Sequence, residues 1–335
     1  MQQGDSDCAE HLFQHSEHHV RRAAMRISST TLYQSGVNNM SNLQAQLVQV
    51  NTQIDYQKRV VTPSDDPVAA SRIELLNTSS GQNTQYKANT QAVDSWLSYS
   101  DTSLKSAIDL MGSLKSQAIY AGSGALSPTQ LQAIQKTVKE GLSELVGYGN
   151  ATDGNGSYLF SGNQINTAPF ALDLSNNPPT IAYNGDDGQR SVQVSASRIM
   201  AISDPGNTVF GSLASGGSPT AAFDSVINLY NLLGQNPKPA NFPTQINNII
   251  NQMSDATQQM NIGLASVGAR EQENSNLQSM SDNLNLQYNS GISSLQDLDM
   301  AQAISQFTLT QTSLQYTQKT YAQVAQLSLF NYISG

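Results

Sequence analysis

The sequence predicts a mainly α-helical protein with a small β-rich insertion, shaped as an elongated rod. Apolar residues near both ends of the chain recur at alternating spacings of three and four, the pattern of helices that pack lengthwise. Between them, a short region changes to a spacing of two and contains Asn-Gly and Asp-Gly turns, as β-hairpins do. Because each apolar stripe has to be buried, we expect the N- and C-terminal helices to pack together and the β domain to lie at the distal end.

The first helix is indicated by a stripe, or seam, of apolar residues separated by neutral polar ones. The seam positions are Met40, Leu43, Leu47, Val50 and Ile54. The residues between them are mainly Gln, Asn and Ser rather than the Glu and Lys that usually flank a coiled-coil seam. The pattern ends before residue 63, a proline, which disfavours helical backbone at the residue preceding it.

A structural turn is predicted at Pro63, Asp65, Asp66 and Pro67. Asp66 suits the N-cap of the next helix, because its carboxylate can accept hydrogen bonds from unpaired backbone N–H groups. Pro67 suits the first helical position, where a missing N–H costs nothing. We expect this helix to run to a Gly-Ser-Gly break at 122–124.

A further helix is expected from Pro128 to about Gly147, with Ser127 as its cap. Four short stretches then have the composition or alternation of strands. They are Tyr158-Leu159-Phe160, Thr180-Ile181-Ala182-Tyr183, Ser191-Val192-Gln193-Val194 and residues 198–202.

Helical patterns resume at Ala221 and, after a proline-rich loop at 236–243, continue in one long final run from near Thr244. The last part carries a second 3-4 seam, in which three of eight positions are Ala or Thr, so this helix pair should need neighbouring subunits for stability. We predict that the large apolar residues of the two seams form an assembly interface: Leu43, Leu47, Val50, Ile54, Met300, Phe307, Leu314, Tyr321 and Val324.

These patterns divide the chain into four expected parts. Residues 1–24 are a disordered extension or a mis-assigned start, and residues 25–64 with 295–335 are the terminal assembly helices. Residues 65–157 with 218–294 are a helical core domain, and residues 158–217 are the β-rich insertion.

Composition excludes several classes of protein. Only 12% of residues are charged and the net charge is −9, which argues against a nucleic-acid-binding protein. No apolar run approaches the roughly 18 residues of a membrane-spanning helix, and no cleavable signal is recognisable at the start. The single cysteine, Cys8, cannot form an internal disulfide.

The sequence also offers few candidate residues for catalysis or metal binding. All four histidines lie within the first 24 residues; His11 and His15 have a spacing that suits a metal, but a site needs a scaffold, so a flexible tail is favoured. The stretch 153–157 resembles the start of a calcium loop but lacks the required Gly and Glu further on. The pairs Asp65-Asp66 and Asp186-Asp187 lie in turn contexts, which favours capping over acid–base roles. We therefore predict no enzyme activity, no cofactor and no metal site.

Several separated motifs resemble the flagellin superfamily in the same order along residues 25–335. The segment around Pro63-Ser64-Asp65-Asp66-Pro67 is similar to the form found in hook–filament junction proteins of that superfamily, whereas flagellin tends to carry Ser-Ala-x-Asp-Asp. Residues 158–162, 183–192 and 267–270 match the junction proteins, and residues 297–304 match the C-terminal helix of the superfamily.

The resemblance implies a structural protein of the bacterial flagellum that joins hook to filament. It implies export through the flagellar type III apparatus without a cleaved signal, and an extracellular location. Its expected partners are hook-associated protein 1, flagellin, further copies of itself in a ring, and an export chaperone at the C-terminal segment. Neither nucleic acid nor membrane is an expected partner.

Three alternatives remain open from the sequence. Flagellin shares the fold and the export route. A secreted enzyme or metal-binding module would have to use the histidine-rich tail, and a cytoplasmic coiled-coil adaptor would explain the seams alone.

Overall fold

The computed structural model describes residues 29–123, 126–212 and 217–333. Helices dominate these residues, and four short strands lie between the third and fourth of them. The helices are α1 (Ser29–Tyr56), α2 (Pro67–Gly122), α3 (Pro128–Gly149), α4 (Gly206–Val209), α5 (Ala221–Gly234), α6 (Phe242–Gln296) and α7 (Met300–Ile333). The predicted class, mainly α with a small β-rich insertion, is confirmed.

The strands form two separate antiparallel hairpins. Strand β1 (Phe170–Asp173) pairs with β2 (Thr180–Tyr183), and β3 (Ser191–Ser195) pairs with β4 (Arg198–Ala201). The second hairpin turns through only two residues, Ala196 and Ser197, and its register is irregular between Gln193 and Ser195.

The described chain folds into two compact units. The terminal unit consists of the residues up to Ile73 and those from Ile292 onward, and the central unit is Glu74–Gly291. Helices and hairpins of the central unit share one hydrophobic core, so the β-rich region contributes to the same buried cluster as α2, α3, α5 and α6.

Four phenylalanines lie in the core of the central unit, where the hairpin region meets the helices. Phe160, Phe170, Phe210 and Phe223 are all buried. The ring centroids of Phe170 and Phe223 are 4.5 Å apart, and those of Phe160 and Phe210 are 5.3 Å apart in an edge-to-face arrangement. Gly149, at the end of α3, permits this packing, because a Cβ there would come within 2.8 Å of the Phe170 ring.

The start of α3, which the sequence predicted at Pro128, is fixed by a capping box and a proline. The Ser127 hydroxyl accepts a hydrogen bond from the Gln130 N–H, and the Gln130 side chain accepts one from the Ser127 N–H. This reciprocal capping box, followed by Pro128, satisfies N–H groups that have no partner within the helix.

One predicted strand is wrong. Tyr158-Leu159-Phe160 forms bends and a single bridge, because its backbone bonds to loop residues and the Phe160 ring is buried in the core. The Tyr158 N–H donates to the Ile165 carbonyl at 2.9 Å, and the Leu159 N–H donates to the Ala151 carbonyl at 3.0 Å. The strand that the pattern missed is Phe170–Asp173, which exists because Thr180–Tyr183 pairs with it.

The predicted single final run is also interrupted. Helix α6 ends at Gln296 and α7 begins at Met300, with the Asp299 carboxylate accepting a hydrogen bond from the Gln302 N–H at 3.1 Å. Asp299 is therefore a second acidic N-cap of this chain. No helix in the described part of the chain is both long and apolar enough to cross a membrane.

Truncation of the aromatic core should destabilise the central unit strongly. Phe223→Ala should lower the free energy of unfolding by about 3–5 kcal/mol, because a buried ring is replaced by a cavity. Ile199→Ala, at a side chain that is 64% exposed on β4, is the matched control and should change it by no more than about 0.5 kcal/mol. Urea unfolding of both variants measures the difference, and similar small losses would contradict the assigned core.

Candidate assembly site

The predicted structural turn lies in a segment of the terminal unit that we call the joint, residues 57–66 between α1 and α2. It begins at Gln57, whose φ of 55° lies in the left-handed region and turns the chain at the end of α1. The Gln57 carbonyl accepts from the Leu298 N–H at 3.3 Å, and the Arg59 N–H donates to the Gln296 carbonyl at 2.7 Å. The joint is thereby bonded to the α6–α7 connection.

Asp65 closes the turn of the joint. One carboxylate oxygen accepts hydrogen bonds from the N–H groups of Thr62 and Val61, at 2.8 and 3.0 Å, and from the Thr62 hydroxyl at 3.2 Å. The bond from the Thr62 N–H is the main reason that the pKa of Asp65 lies below its usual value, and it outweighs the opposing effect of burial.

Asp66 caps α2 and pairs with an arginine. Its Oδ1 accepts a hydrogen bond from the Ala69 N–H at 3.0 Å, and its Oδ2 lies 3.0 Å from Nη1 of Arg59. The capping bond, followed by the arginine, lowers the pKa of this carboxyl group. Nη2 of Arg59 also donates to the Leu295 carbonyl at 2.7 Å, so one guanidinium bridges the start of α2 and the end of α6.

Beneath these polar contacts lies a small apolar cluster. Val60 from the joint, with Ala69 and Ile73 from the first turns of α2, is buried against Ile292 and Leu295 of α6. The other two turn residues, Pro63 and Pro67, are exposed. The structure thus places Asp65 and Asp66 together at a packed joint and leaves the prolines on its surface.

Helices α1 and α7 pack against each other in antiparallel directions. At one end the backbone of Lys58, just after α1, forms an isolated antiparallel β-bridge with the backbone of Asp297, just before α7. At the other end the rings of Tyr33 and Tyr321 meet edge to face with centroids 5.8 Å apart. Gly36 allows this approach, because an added Cβ would come within 2.9 Å of the Tyr321 ring.

The predicted interface residues on these two helices are not deeply buried in the single chain. All of the following are half-buried: Leu43, Leu47, Val50, Ile54, Met300, Phe307, Leu314 and Tyr321. The side chain of Val324 lies outside those described, as do residues 1–24 with Cys8 and the four histidines. Among the described side chains of α1 and α7, the only buried apolar one is Ala303.

Large apolar side chains outside the seams are exposed on the same two helices. Val37 and Val48 share one side of α1, and Leu309 and Tyr316 share one side of α7; Val48, Leu309 and Tyr316 are 66%, 62% and 66% exposed. We call these four residues the outer face. The sequence signal for them was weak, because they fall outside the 3-4 spacing.

The outer face is surrounded by neutral side chains. The 28 residues of α1 contain one charged residue, Asp55, and the 34 residues of α7 contain one, Lys319. An open groove of about 450 Å³ beside it is lined by Tyr33, Tyr316 and Tyr321 together with neutral polar residues. Such a surface can pack against an identical one without repulsion between like charges.

Other acidic residues considered for chemistry serve as turn acceptors. Burial opposes ionisation of Asp153, but hydrogen bonds from the N–H groups of Ser157 and Asn155 and from the Trp96 indole outweigh it and keep the pKa low. Asp186 accepts from the N–H groups of Asn163 and Gly188, each at 2.8 Å. Within the described residues, no group of three or more metal-ligating side chains comes together.

Comparison with known proteins identifies relatives along most of the chain. Residues 27–165 match the family described as the bacterial flagellin N-terminal helical region. Flagellar hook-associated protein 3 of Salmonella typhimurium is 29% identical over 319 residues, which cover 91% of this chain and 99% of that protein. The Escherichia coli protein of the same name is 28% identical with the same coverage.

Solved structures share the fold. A hook-associated protein from Vibrio parahaemolyticus superposes with a TM-score of 0.62 at 19% identity, covering 70% of this chain and 100% of that one. Hook-associated protein 3 from Legionella pneumophila gives a TM-score of 0.58 at 20% identity, covering 67% of this chain and 98% of that one. The relatives are flagellar hook-associated proteins rather than enzymes, in agreement with the predicted absence of enzyme activity.

Substitution of Asp66 should separate its capping bond from its charge. Asp66→Ala should lower the thermal stability of the terminal unit, because the Ala69 N–H loses its acceptor. Asp66→Asn should retain most of that stability, since Asn caps nearly as well and the exposed pair with Arg59 contributes little. Circular dichroism melts of both variants and the parent measure this, and equal large losses would contradict the capping role.

Lowering the pH should reduce the thermal stability of the terminal unit, and circular dichroism melts of the parent chain at a series of pH values measure this. The pKa values of Asp65 and Asp66 are lower in the folded protein than in model peptides, so their stabilisation is present above the unfolded pKa of about 4. It should be lost as the pH falls through the folded pKa values.

Proposed function

We propose that this chain, a relative of flagellar hook-associated protein 3, is a structural subunit of the bacterial flagellum that joins the hook to the filament. The observation that carries the proposal is similarity to proteins of that name over nine-tenths of this chain and nearly all of theirs. The neutral surface of α1 and α7, with its exposed outer face, supports an assembly role.

The partners in this proposal follow from a junction position. One side of a ring of identical subunits would contact hook-associated protein 1, and the other side would contact flagellin. Before assembly an export chaperone would hold the C-terminal segment, and the chain would leave the cell through the flagellar type III apparatus without a cleaved signal. The low apolar burial of α1 and α7 is compatible with helices that gain stability from neighbours.

Flagellin is the second candidate, because the matching N-terminal family model is that of flagellin. The two candidates differ in what the cell does without the protein. A missing junction subunit leaves flagellin without an attachment point, whereas a missing filament subunit removes the filament material itself.

Deletion of the gene in its host should give hooks without filaments and flagellin shed into the medium. Electron microscopy of the cells and analysis of the culture medium measure both outcomes, and expression of the parent chain from a plasmid should restore filaments. Normal filaments in the deletion strain would refute the proposal. Bare hooks with no filament protein in the medium would identify the chain as flagellin instead.

Charge on the outer face should block assembly without unfolding the subunit. Leu309→Asp combined with Tyr316→Asp places two carboxylates on side chains that are already exposed, so the circular dichroism spectrum of the monomer should not change. Burial of those carboxylates against a neighbour would be costly, so the variant should fail to restore filaments in the deletion strain.

Two comparisons control this experiment. Ile199→Asp makes the same kind of change at an exposed residue of the central unit and should restore filaments. Leu314→Asp combined with Tyr321→Asp alters the seam, so it should reduce the helix content of the monomer as well as abolish swimming. Normal filaments with the outer-face variant would show that this face is not an interface.

A further inference from the structure

One stretch of the central unit has a polar core. Residues 74–91 of α2 run antiparallel to residues 268–291 of α6, and we call this pair the stem. All of its residues are described, and no apolar side chain among them is buried. The buried side chains of the stem are Asn83, Thr90, Asn274 and Ser281.

Hydrogen bonds between the two helices replace apolar packing in the stem. The Asn83 amide donates to the Ser281 carbonyl at 2.7 Å, and the Ser281 hydroxyl donates to Asn83 Oδ1 at 2.8 Å. The Asn274 amide donates to the Thr90 carbonyl at 2.9 Å. These bonds replace bonds to water in the unfolded chain, so each contributes less net stability than a buried leucine.

One of these groups is incompletely paired. Asn274 is fully buried, yet its Oδ1 has no hydrogen-bond partner. A buried acceptor without a donor costs free energy. The stem also leaves large apolar side chains exposed, at Leu75, Met280 and Leu286.

The stem helices have weak intrinsic helix propensity. Residues 77–84 of α2 read Asn-Thr-Ser-Ser-Gly-Gln-Asn-Thr, in which every residue except Gln82 is a poor or middling helix former and Gly81 lies in the interior of the helix. Residues 274–291 of α6 contain five Asn, four Ser and a Gly. Neither packing nor propensity therefore stabilises the stem strongly.

The adjoining part of the same two helices is different. From Val93 to Ala121, the inner side of α2 is apolar and buried, and from Phe242 to Val267 the same holds for α6. This part belongs to the main hydrophobic core, together with α3, α5 and the hairpins.

We propose that the stem opens and closes as a separate unit while the core of the central unit stays folded. Polar contacts hold the stem at its edges, together with the half-buried Leu277, which packs against the main core. Lys87 pairs with Asp282 at 2.5 Å, the Asn89 amide donates to the Gln193 carbonyl at 2.7 Å, and Arg198 on β4 pairs with Glu273. Exposed ion pairs of this kind contribute little to stability, so they permit local opening. The less exposed pair, Arg270 with Asp204, lies at the end of the stem that adjoins the core.

Opening would separate two long helices over about five turns without loss of the aromatic core. In the junction role proposed above, this lets one subunit adjust its helices to neighbours of different kinds. That consequence rests on the proposed function, whereas the opening itself rests only on the composition and packing of the stem.

Two glycines of α2 provide a matched test. Gly81 lies in the stem and Gly112 in the core portion, and an added Cβ meets no atom within 4 Å at either position. Each Gly→Ala change therefore raises helix propensity without creating or removing a contact. Native-state hydrogen exchange and urea unfolding of the full chain report the two regions separately.

In Gly81→Ala, the stem amides should exchange about fivefold more slowly, the factor expected from the Gly-to-Ala propensity difference. Core amides and the urea midpoint should not change. Gly112→Ala should slow the core amides and raise the urea midpoint while leaving stem exchange as in the parent.

Two outcomes would overturn the proposal. One is unchanged stem exchange in Gly81→Ala, and the other is a rise in the urea midpoint equal to that of Gly112→Ala, which would show that stem and core unfold together. The deletion phenotype described above is independent of both, so failure of this inference is distinguishable from failure of the proposed function.

Discussion

Burial of apolar side chains is distributed unevenly along this chain, and the rest of the structure depends on that constraint. The central unit buries five phenylalanines and many aliphatic side chains in one cluster. Among the described side chains of the terminal unit, the buried apolar ones are the three of the cluster at the joint and Ala303 of α7. Long helices with so little burial are expected to be marginal alone, so the outer face of α1 and α7 is the natural place for further packing.

Where apolar burial is small, carboxylates organise the backbone. Asp65, Asp66 and Asp299 accept hydrogen bonds from N–H groups around the joint and at the start of α7. Asp153 and Asp186 do the same in loops of the central unit. Acidic pairs that could suggest acid–base chemistry are thus used to form turns and caps, in keeping with the flagellar hook-associated relatives of this chain.

The same preference for neutral polar residues has a different effect in each unit. On α1 and α7 it leaves a surface with one charged residue per helix, which favours close packing of identical subunits. In the stem, polar residues occupy the buried positions themselves, which favours local opening. In the proposed junction role both properties would be useful, since the surface would have to fit neighbours and the helices would have to adjust to them.

Local signals in the sequence predicted most of the long helices, the caps Asp66 and Ser127 and the main turn, but not the break between α6 and α7. Seam spacing indicated α1 and α7, and Ser127 with Pro128 marked the start of α3, because these signals act within a few residues of each other. Which short apolar stretch forms a strand depends on contacts between distant parts of the chain. Tyr158-Leu159-Phe160 is not a strand because its backbone N–H groups donate to the carbonyls of Ile165 and Ala151 rather than to a neighbouring strand, whereas Phe170–Asp173 pairs with Thr180–Tyr183. The tertiary structure also leaves the seam residues half-buried within one chain, whereas Leu309 and Tyr316 are exposed. Periodicity shows which residues share a face of a helix, but what covers that face depends on contacts between residues far apart in the chain.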